Sequence, residues 1–175
     1  MVKKISALDL HYLIKELQFL VGARVDKIFV PRKKQIIIEV YVRAKGKFFL
    51  QIDEKSVYTT KKPKTKKPDE FCMFFRKKLA NSRIKSIEQI DFERILEITF
   101  TTKNSELKLV AEIFSKGNIL LTKDNKILIA SEYQNWSDRT IRPKIDYEHP
   151  KKEYNFLKIG EEELSKIIES SNKES

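Results

Sequence analysis

Between Leu10 and Val21 apolar residues return every three or four positions, at Leu10, Leu13, Ile14, Leu17, Leu20 and Val21, the spacing that lines one face of an α-helix. Ser6 stands ahead of this run with Asp9 three residues on, the reciprocal arrangement of a capping box. Gly22 supplies the stop, because glycine reaches the left-handed conformation needed just past a helix end. The pattern predicts a first helix over about 7–21. From Val25 the period falls to two. Ile36, Ile38, Val40 and Val42 share one face, and Phe48, Leu50 and Ile52 follow the turn residues Ala44-Lys45-Gly46, which predicts a hairpin. Tyr58 ends a further short strand.

Pro68, Asp69 and Glu70 open a second helix, since proline fits a first helical turn and carboxylates favour the positive end of the helix dipole. Arg76, Lys77 and Lys78 suit its negative end, and the stripe of Phe71, Phe74, Phe75 and Leu79 is read as core. Alternating runs then recur at 84–90, 95–101, 107–114, 119–122 and 127–129, with turn-forming residues at 102–105, 116–118 and 123–125. About eight short strands with two main helices predict an α+β fold, an antiparallel sandwich or meander. The hairpin-rich halves are expected to form two similar sheets, mostly four-stranded. After Trp136 the periodicity fades into an extended stretch through Pro143, Tyr147 and Pro150, expected to wrap the sandwich; Trp136 could stack on a base, but a buried or half-buried place in that segment is the commoner case. This sets a domain over 1–150. Residues 151–175 form a linker or the start of a truncated helical extension, in which Leu164, Ile167 and Ile168 mark a short amphipathic helix.

Composition narrows the partners. With 36 Lys and Arg against 25 Asp and Glu, a formal charge of +11 and a pI near 9.6, the 175-residue chain favours polyanions. Cys72 sits among Phe71, Met73, Phe74 and Phe75, the setting of an inert buried thiol. His11 and His149 are the only histidines, so neither a metal site nor a cofactor motif is expected. A P-loop, a dinucleotide fingerprint and a nucleophile elbow are all missing. No apolar stretch follows Met-Val-Lys-Lys-Ile and none is long enough to span a bilayer, so a cytoplasmic protein with no membrane contact is expected.

Five peptides occur in a fixed order: Ser-Ala-Leu-Asp-Leu at 6–10, Val-Gly-Ala-Arg-Val-Asp-Lys-Ile at 21–28, Pro-Asp-Glu-Phe-Cys-Met-Phe-Phe-Arg-Lys-Lys-Leu at 68–79, Asp-Phe-Glu-Arg-Ile at 91–95 and Glu-Ile-Phe-Ser-Lys-Gly-Asn-Ile at 112–119. Together they resemble the NFACT N-terminal domain, found at the front of RqcH, NEMF and proteins labelled fibronectin-binding. The resemblance runs from about residue 4 to about 150. It implies a fold similar to the front lobe of formamidopyrimidine-DNA glycosylases. Those enzymes attack with an N-terminal proline followed by glutamate, whereas Val2 and Lys3 follow Met1 here. Glycosylase activity is therefore not expected. The resemblance implies a factor that acts on large ribosomal subunits obstructed by peptidyl-tRNA, recruits tRNA and supports a non-templated C-terminal tail. Members of this family continue into a helix-hairpin-helix unit, a coiled coil and an RNA-binding module, which 175 residues do not accommodate.

For the site, the resemblance implies a tRNA-facing group of Asp9, Glu93 and Arg94. On spacing alone Asp9 is a helix cap, and the two roles are compatible. The family carries Asp-Arg where this chain has Glu93-Arg94, which moves the carboxylate about one methylene outward. A guanidinium can fork onto phosphate or stack on a base; the plain alternative for the pair is a cross-strand ion pair. On a regular strand Glu93 and Arg94 would face opposite ways, so both serve one site only at a strand end or bulge. Arg24 and Lys27 are possible phosphate contacts, although Arg24 and Asp26 can neutralise each other. Lys61, Lys62, Lys64, Lys66 and Lys67 form a charged loop, either solvated or swept over a phosphate backbone, with Arg76, Lys77 and Lys78 extending it. Lys144 stands where the family's Arg-x-x-Arg-Pro-Gly-like segment tends to have glycine, a difference that affects only a turn. Two other function classes stand beside this reading: a general RNA- or DNA-binding module, and an adhesion protein, which the lack of a secretion signal disfavours.

Overall fold

A computed structural model of the chain describes residues 4–64, 67–136, 139–150 and residue 160. Helix α1 covers Ala7–Leu17. Its capping box is formed as expected, with Asp9 N–H donating to Ser6 Oγ at 3.1 Å and Ser6 N–H to Asp9 Oδ2 at 2.8 Å. The helix stops short of residue 21 because its last turn tightens into a 3-10 turn, Gln18–Leu20. That turn buries Leu20 completely and leaves Val21 40% exposed. The Gln18 amide anchors this end, donating to Ile14 O at 3.0 Å and across to Ile87 O at 2.9 Å. Helix α2 is Glu70–Leu79, and Asp69 is its cap, accepting from Cys72 N–H at 2.7 Å. Pro68 thus precedes the cap and does not occupy the first turn. Cys72, Phe75 and Leu79 are buried, and burial pushes the Cys72 thiol up from its ordinary pKa, as befits an inert thiol.

The strands are β1 (Arg24–Arg32), β2 (Gln35–Val42), β3 (Gly46–Asp53), β4 (Val57–Thr60), β5 (Arg83–Gln89), β6 (Ile95–Thr101), β7 (Glu106–Glu112), β8 (Asn118–Lys123), β9 (Lys126–Ala130), and the two-residue β10 (Gln134–Asn135) and β11 (Thr140–Ile141). Strands β1–β9 form a single antiparallel sheet, in the order β4-β3-β2-β1-β5-β6-β7-β8-β9. The expectation of two separate four-stranded sheets is therefore corrected. The halves are fused where Arg24 faces Arg83, by backbone bonds Gly22 N to Ile84 O at 2.8 Å, Ile84 N to Ala23 O at 3.0 Å and Val25 N to Ser82 O at 2.8 Å. Such a junction satisfies main-chain groups that two open edges would expose. A register shift between Val25 and Lys27 lets β1 bend beside it.

Both wings of this sheet feed one core: Ile36, Ile38, Leu50 and Ile52 from one wing cluster with Ile98, Phe100, Leu109 and Leu121 from the other. The outer face of β6–β8 is also apolar, through Ile95, Val110 and Leu120, and Ile141 and Tyr147 join it in a second cluster. The expected wrapping segment is thus present as a strap over 139–149. Trp136, at the edge of this strap, keeps 44% of its surface exposed. The amphipathic helix expected within 161–175 lies outside the described residues.

Lys144 carries φ 72 in the strap, a left-handed conformation costing a side-chain-bearing residue about 1–2 kcal/mol. Its N–H nevertheless donates to Ile127 O at 2.8 Å, so the turn is held in place. Lys144→Gly is expected to raise stability by up to about 1 kcal/mol, once glycine's own unfolded-state entropy is offset. A urea midpoint equal to or below that of the parent chain would show that the turn carries no such strain.

Candidate nucleic-acid interface

The turn between β5 and β6 is short and twisted. Ile90 N donates to Ile95 O at 3.0 Å and Glu93 N to Ile90 O at 2.8 Å, closing a loop in which Asp91 (φ 49) and Phe92 (φ 56) are both left-handed. Two consecutive non-glycine residues in that region need outside support. Three contacts supply it. Ile113 N donates to Arg94 O at 2.7 Å, and the rings of Phe92 and His11 meet edge-on at 5.9 Å. The Gln89 amide donates both to Glu93 O at 2.9 Å and to Ala7 O at 2.8 Å.

That last pair joins the turn that carries Glu93 and Arg94 to the start of α1, the helix that carries Asp9. Asp9 is exposed and its Oδ2 accepts from both N–H and Oγ of Ser6 at 2.8 Å. Glu93 and Arg94 are half-buried. None of the three lies in the apolar interior. Glu93 and Arg94 occupy a turn that ends before β6 begins, so strand alternation does not force them apart. Leu8 and Tyr12, 53% and 58% exposed on α1, give this region an apolar surface, with Lys15 Nζ 5.3 Å from the Tyr12 ring. Nothing in the sequence singles out Gln89, whose bridging amide is visible only once both elements are placed.

The remaining cations form a separate group on β1 and α2, which pack together. Arg24 Nε pairs with Asp26 at 3.0 Å, the neutralising arrangement that its spacing allows. Arg76 is half-buried and donates from Nε to Ile28 O at 2.7 Å, which fixes α2 to β1 and leaves less of it for phosphate. Lys27, Lys77, Lys78 and, in the segment leading to α2, Lys61, Lys62, Lys64 and Lys67 are exposed. Lys66 lies outside the described residues. Among the described residues no group of acidic, His and Cys side chains could hold a metal ion, and no helix is long and apolar enough to cross a membrane.

A second feature adjoins the turn through Ile113. Glu112, almost fully buried, receives both arms of Arg139: Nη1 to Oε1 at 2.7 Å and Nη2 to Oε2 at 3.0 Å. Tyr147 donates its hydroxyl to Glu112 Oε1 at 2.9 Å. Burial, then the charge of Glu112, pushes the Tyr147 hydroxyl well above its ordinary value, so it remains a donor. Burial alone would lower the Arg139 pKa, but its bonds to Glu112 and that carboxylate's charge outweigh this and raise it. The Arg139 guanidinium also lies 4.6 Å from the centre of the Trp136 ring. Trp136, Asn135, Gln134 and Glu132 form one wall of a cleft of about 300 Å³, and Phe114 to Gly117 form the other. The sequence contains each of these residues in a readable segment, but no periodicity links Glu112 to an arginine 27 positions away.

A family model described as NFACT N-terminal and middle domains matches residues 6–175. An archaeal Rqc2 homologue, aRqcH, from Methanocaldococcus jannaschii is 34% identical over 86% of the chain and 24% of its own length. Ribosome quality control complex subunit 2 of Saccharomyces cerevisiae is 32% identical over 74% of the chain and 13% of its own length. The chain thus spans about a quarter or less of these relatives. Among solved structures, the N-terminal domain of fibronectin-binding protein PavA from Streptococcus pneumoniae superposes with a TM-score of 0.82 at 29% identity, covering 93% of this chain and 68% of that one. The N-terminal part of the fibronectin/fibrinogen-binding protein of Streptococcus suis gives 0.84 at 28% identity, over 94% and 69%. On the extent of the family match and the identity to aRqcH, the chain belongs to the NFACT N-terminal domain family.

Proposed function

We propose that this chain is the tRNA-binding front domain of a ribosome quality-control factor, in which Asp9, Glu93 and Arg94 meet the tRNA. The observation that carries the reading is the Gln89 bridge, which holds the start of α1 against the 91–94 turn. On this reading a guanidinium and two carboxylates share one surface, near exposed Tyr12. Such a set can fork onto phosphate, accept from an exocyclic amine and stack on an unpaired base. Relatives named as ribosome quality-control subunits support the setting, a cytoplasmic one. In a full-length parent the domain positions tRNA on a large subunit carrying peptidyl-tRNA and supports non-templated tailing. It forms no peptide bond itself and catalyses no reaction. Exposed Lys61, Lys62, Lys64 and Lys67 add a sequence-blind attraction.

The test uses a full-length parent carrying Arg94→Ala or Glu93→Ala. Tailing and tRNA co-purification are expected to fall at least tenfold, since a bidentate contact contributes about 1–3 kcal/mol, while ribosome attachment persists through other modules. Tailing at the level of the unaltered parent would remove both residues from the mechanism. Equal loss of tRNA and of random-sequence RNA would favour a general RNA-binding module instead.

A further inference from the structure

We propose that the cleft between the β7–β8 turn and residues 132–136 binds one unstacked nucleotide of a single-stranded RNA, its base on Trp136 and its phosphate at a lysine rim. Trp136 is the chain's only tryptophan and remains 44% exposed. Its ring is backed by Arg139 at 4.6 Å, and Arg139 is locked by both oxygens of buried Glu112. The indole is thus braced before any ligand arrives, and Trp136 is among the residues that line the cleft. Rigid aromatic faces in a cationic setting are how proteins take single-stranded nucleic acid.

Size and chemistry agree with that ligand. A cleft of about 300 Å³ is at the small end of ligand sites, suited to one nucleotide. Asn135 accepts from Thr140 Oγ1 at 2.7 Å through its carbonyl, so amide hydrogens are what it offers a base edge. The carboxylates in the wall do not repel phosphate. Glu112 is neutralised by Arg139. Glu132 is ion-paired with Lys34, has Lys33 at 3.9 Å, and is held below the usual carboxylate range chiefly by its bond to Lys34, with Lys33 and Lys116 also contributing. Lys116 lines the cleft, and with Lys33 and Lys34 behind Glu132 the local charge is net positive. The same pairing argues against a divalent cation, which needs uncommitted oxygens.

Glu112 and Phe114, which line the cleft, flank Ile113, whose N–H donates to the Arg94 carbonyl, and the inference rests on the tRNA reading only for the source of the RNA. Its test is independent. Titrating the 175-residue chain with hexauridylate at low salt is expected to quench Trp136 fluorescence saturably. Trp136→Leu is expected to weaken binding of labelled hexauridylate about tenfold or more, and Trp136→Tyr to retain most of it. Lys116→Ala should lower affinity and flatten its salt dependence. Arg94→Ala should leave the quench intact even if it abolishes tailing, which separates the two readings. The proposal is overturned if hexauridylate gives no quench, if heparin gives the same quench, or if Trp136→Leu binds as the unaltered chain does while its circular dichroism is unchanged.

Discussion

Arg139→Ala is expected to cost the fold about 3–5 kcal/mol, because it strands a buried carboxylate without its counter-charge. The Arg139 and Glu112 side chains are only 8% and 3% exposed. Lys85 and Glu106, by contrast, are paired at 56% and 49% exposure, where a salt bridge contributes about 0–1 kcal/mol. The damage should reach past the pair. Arg139 ties the strap to β7, and the strap brings Ile141 and Tyr147 over the outer face of β6–β8, so loosening it exposes a second apolar cluster. The fall should appear in urea denaturation as a lower midpoint. Glu112→Leu, Arg139→Met and Tyr147→Phe combined should recover most of the loss, since a well-packed apolar replacement of a buried pair is often neutral. A loss below about 1 kcal/mol for Arg139→Ala would mean that water reaches Glu112 and screens it.

Local features of this fold are legible from the chain, and long-range ones are not. The Ser6–Asp9 capping box and the turn at Ala44-Lys45-Gly46 are written in residues three or four apart, and both form. The fusion of the two wings is not visible, because β1 and β5 are separated by three strands and a helix and meet at one register pair. Alternation in each hairpin looks the same whether the hairpins belong to one sheet or two. The extended stretch after Trp136 predicts the strap but not which of its residues fill the space under it. A large aromatic in an extended segment is ordinarily buried, and here Ile141 and Tyr147 fill the outer face of the sheet, leaving the indole outside on Arg139.

The candidate site divides in the same way. Asp9 and Arg94 are found through family peptides, and Asp9 also through its capping pattern. The residue that joins their segments, Gln89, has no local signature: its amide bridges two main-chain carbonyls, Ala7 and Glu93, 86 positions apart along the chain. Lys144 departs from the family's glycine at a turn, and its φ of 72 supplies the reason a glycine suits that position. Charge counting favoured a polyanion but gave no geometry. Arg24 and Arg76, alike as cations in the sequence, are committed to Asp26 and to the Ile28 carbonyl.

Gly117→Ala is expected to destabilise the chain by about 2–4 kcal/mol, as the sum of a left-handed alanine and an overpacked contact. Gly117 has φ +68, and a Cβ there would sit 2.3 Å from Glu54 Cβ and 2.9 Å from Glu54 Cα. These are atoms of or next to the backbone, which cannot swing aside as a side-chain tip can. Glu54 is held in turn by Arg32, whose Nη1 reaches both carboxylate oxygens at 2.9 Å. The two turns belong to opposite wings of the sheet, so Gly117 is where those wings close on each other. Gly22 supplies the internal control: its φ is +85, but nothing lies within 4 Å of a Cβ built there. Gly22→Ala should therefore show the backbone penalty alone, about 1 kcal/mol. The difference between the two variants, read from denaturation midpoints at constant slope, measures the wing contact itself. Glu54→Gly should restore part of the Gly117→Ala loss in a double-mutant cycle, because it removes the nearer obstructing atom. Equal losses at Gly22 and Gly117 would mean that the wings do not approach this closely in solution, and the cleft that Gly117 lines would then be wider than described here.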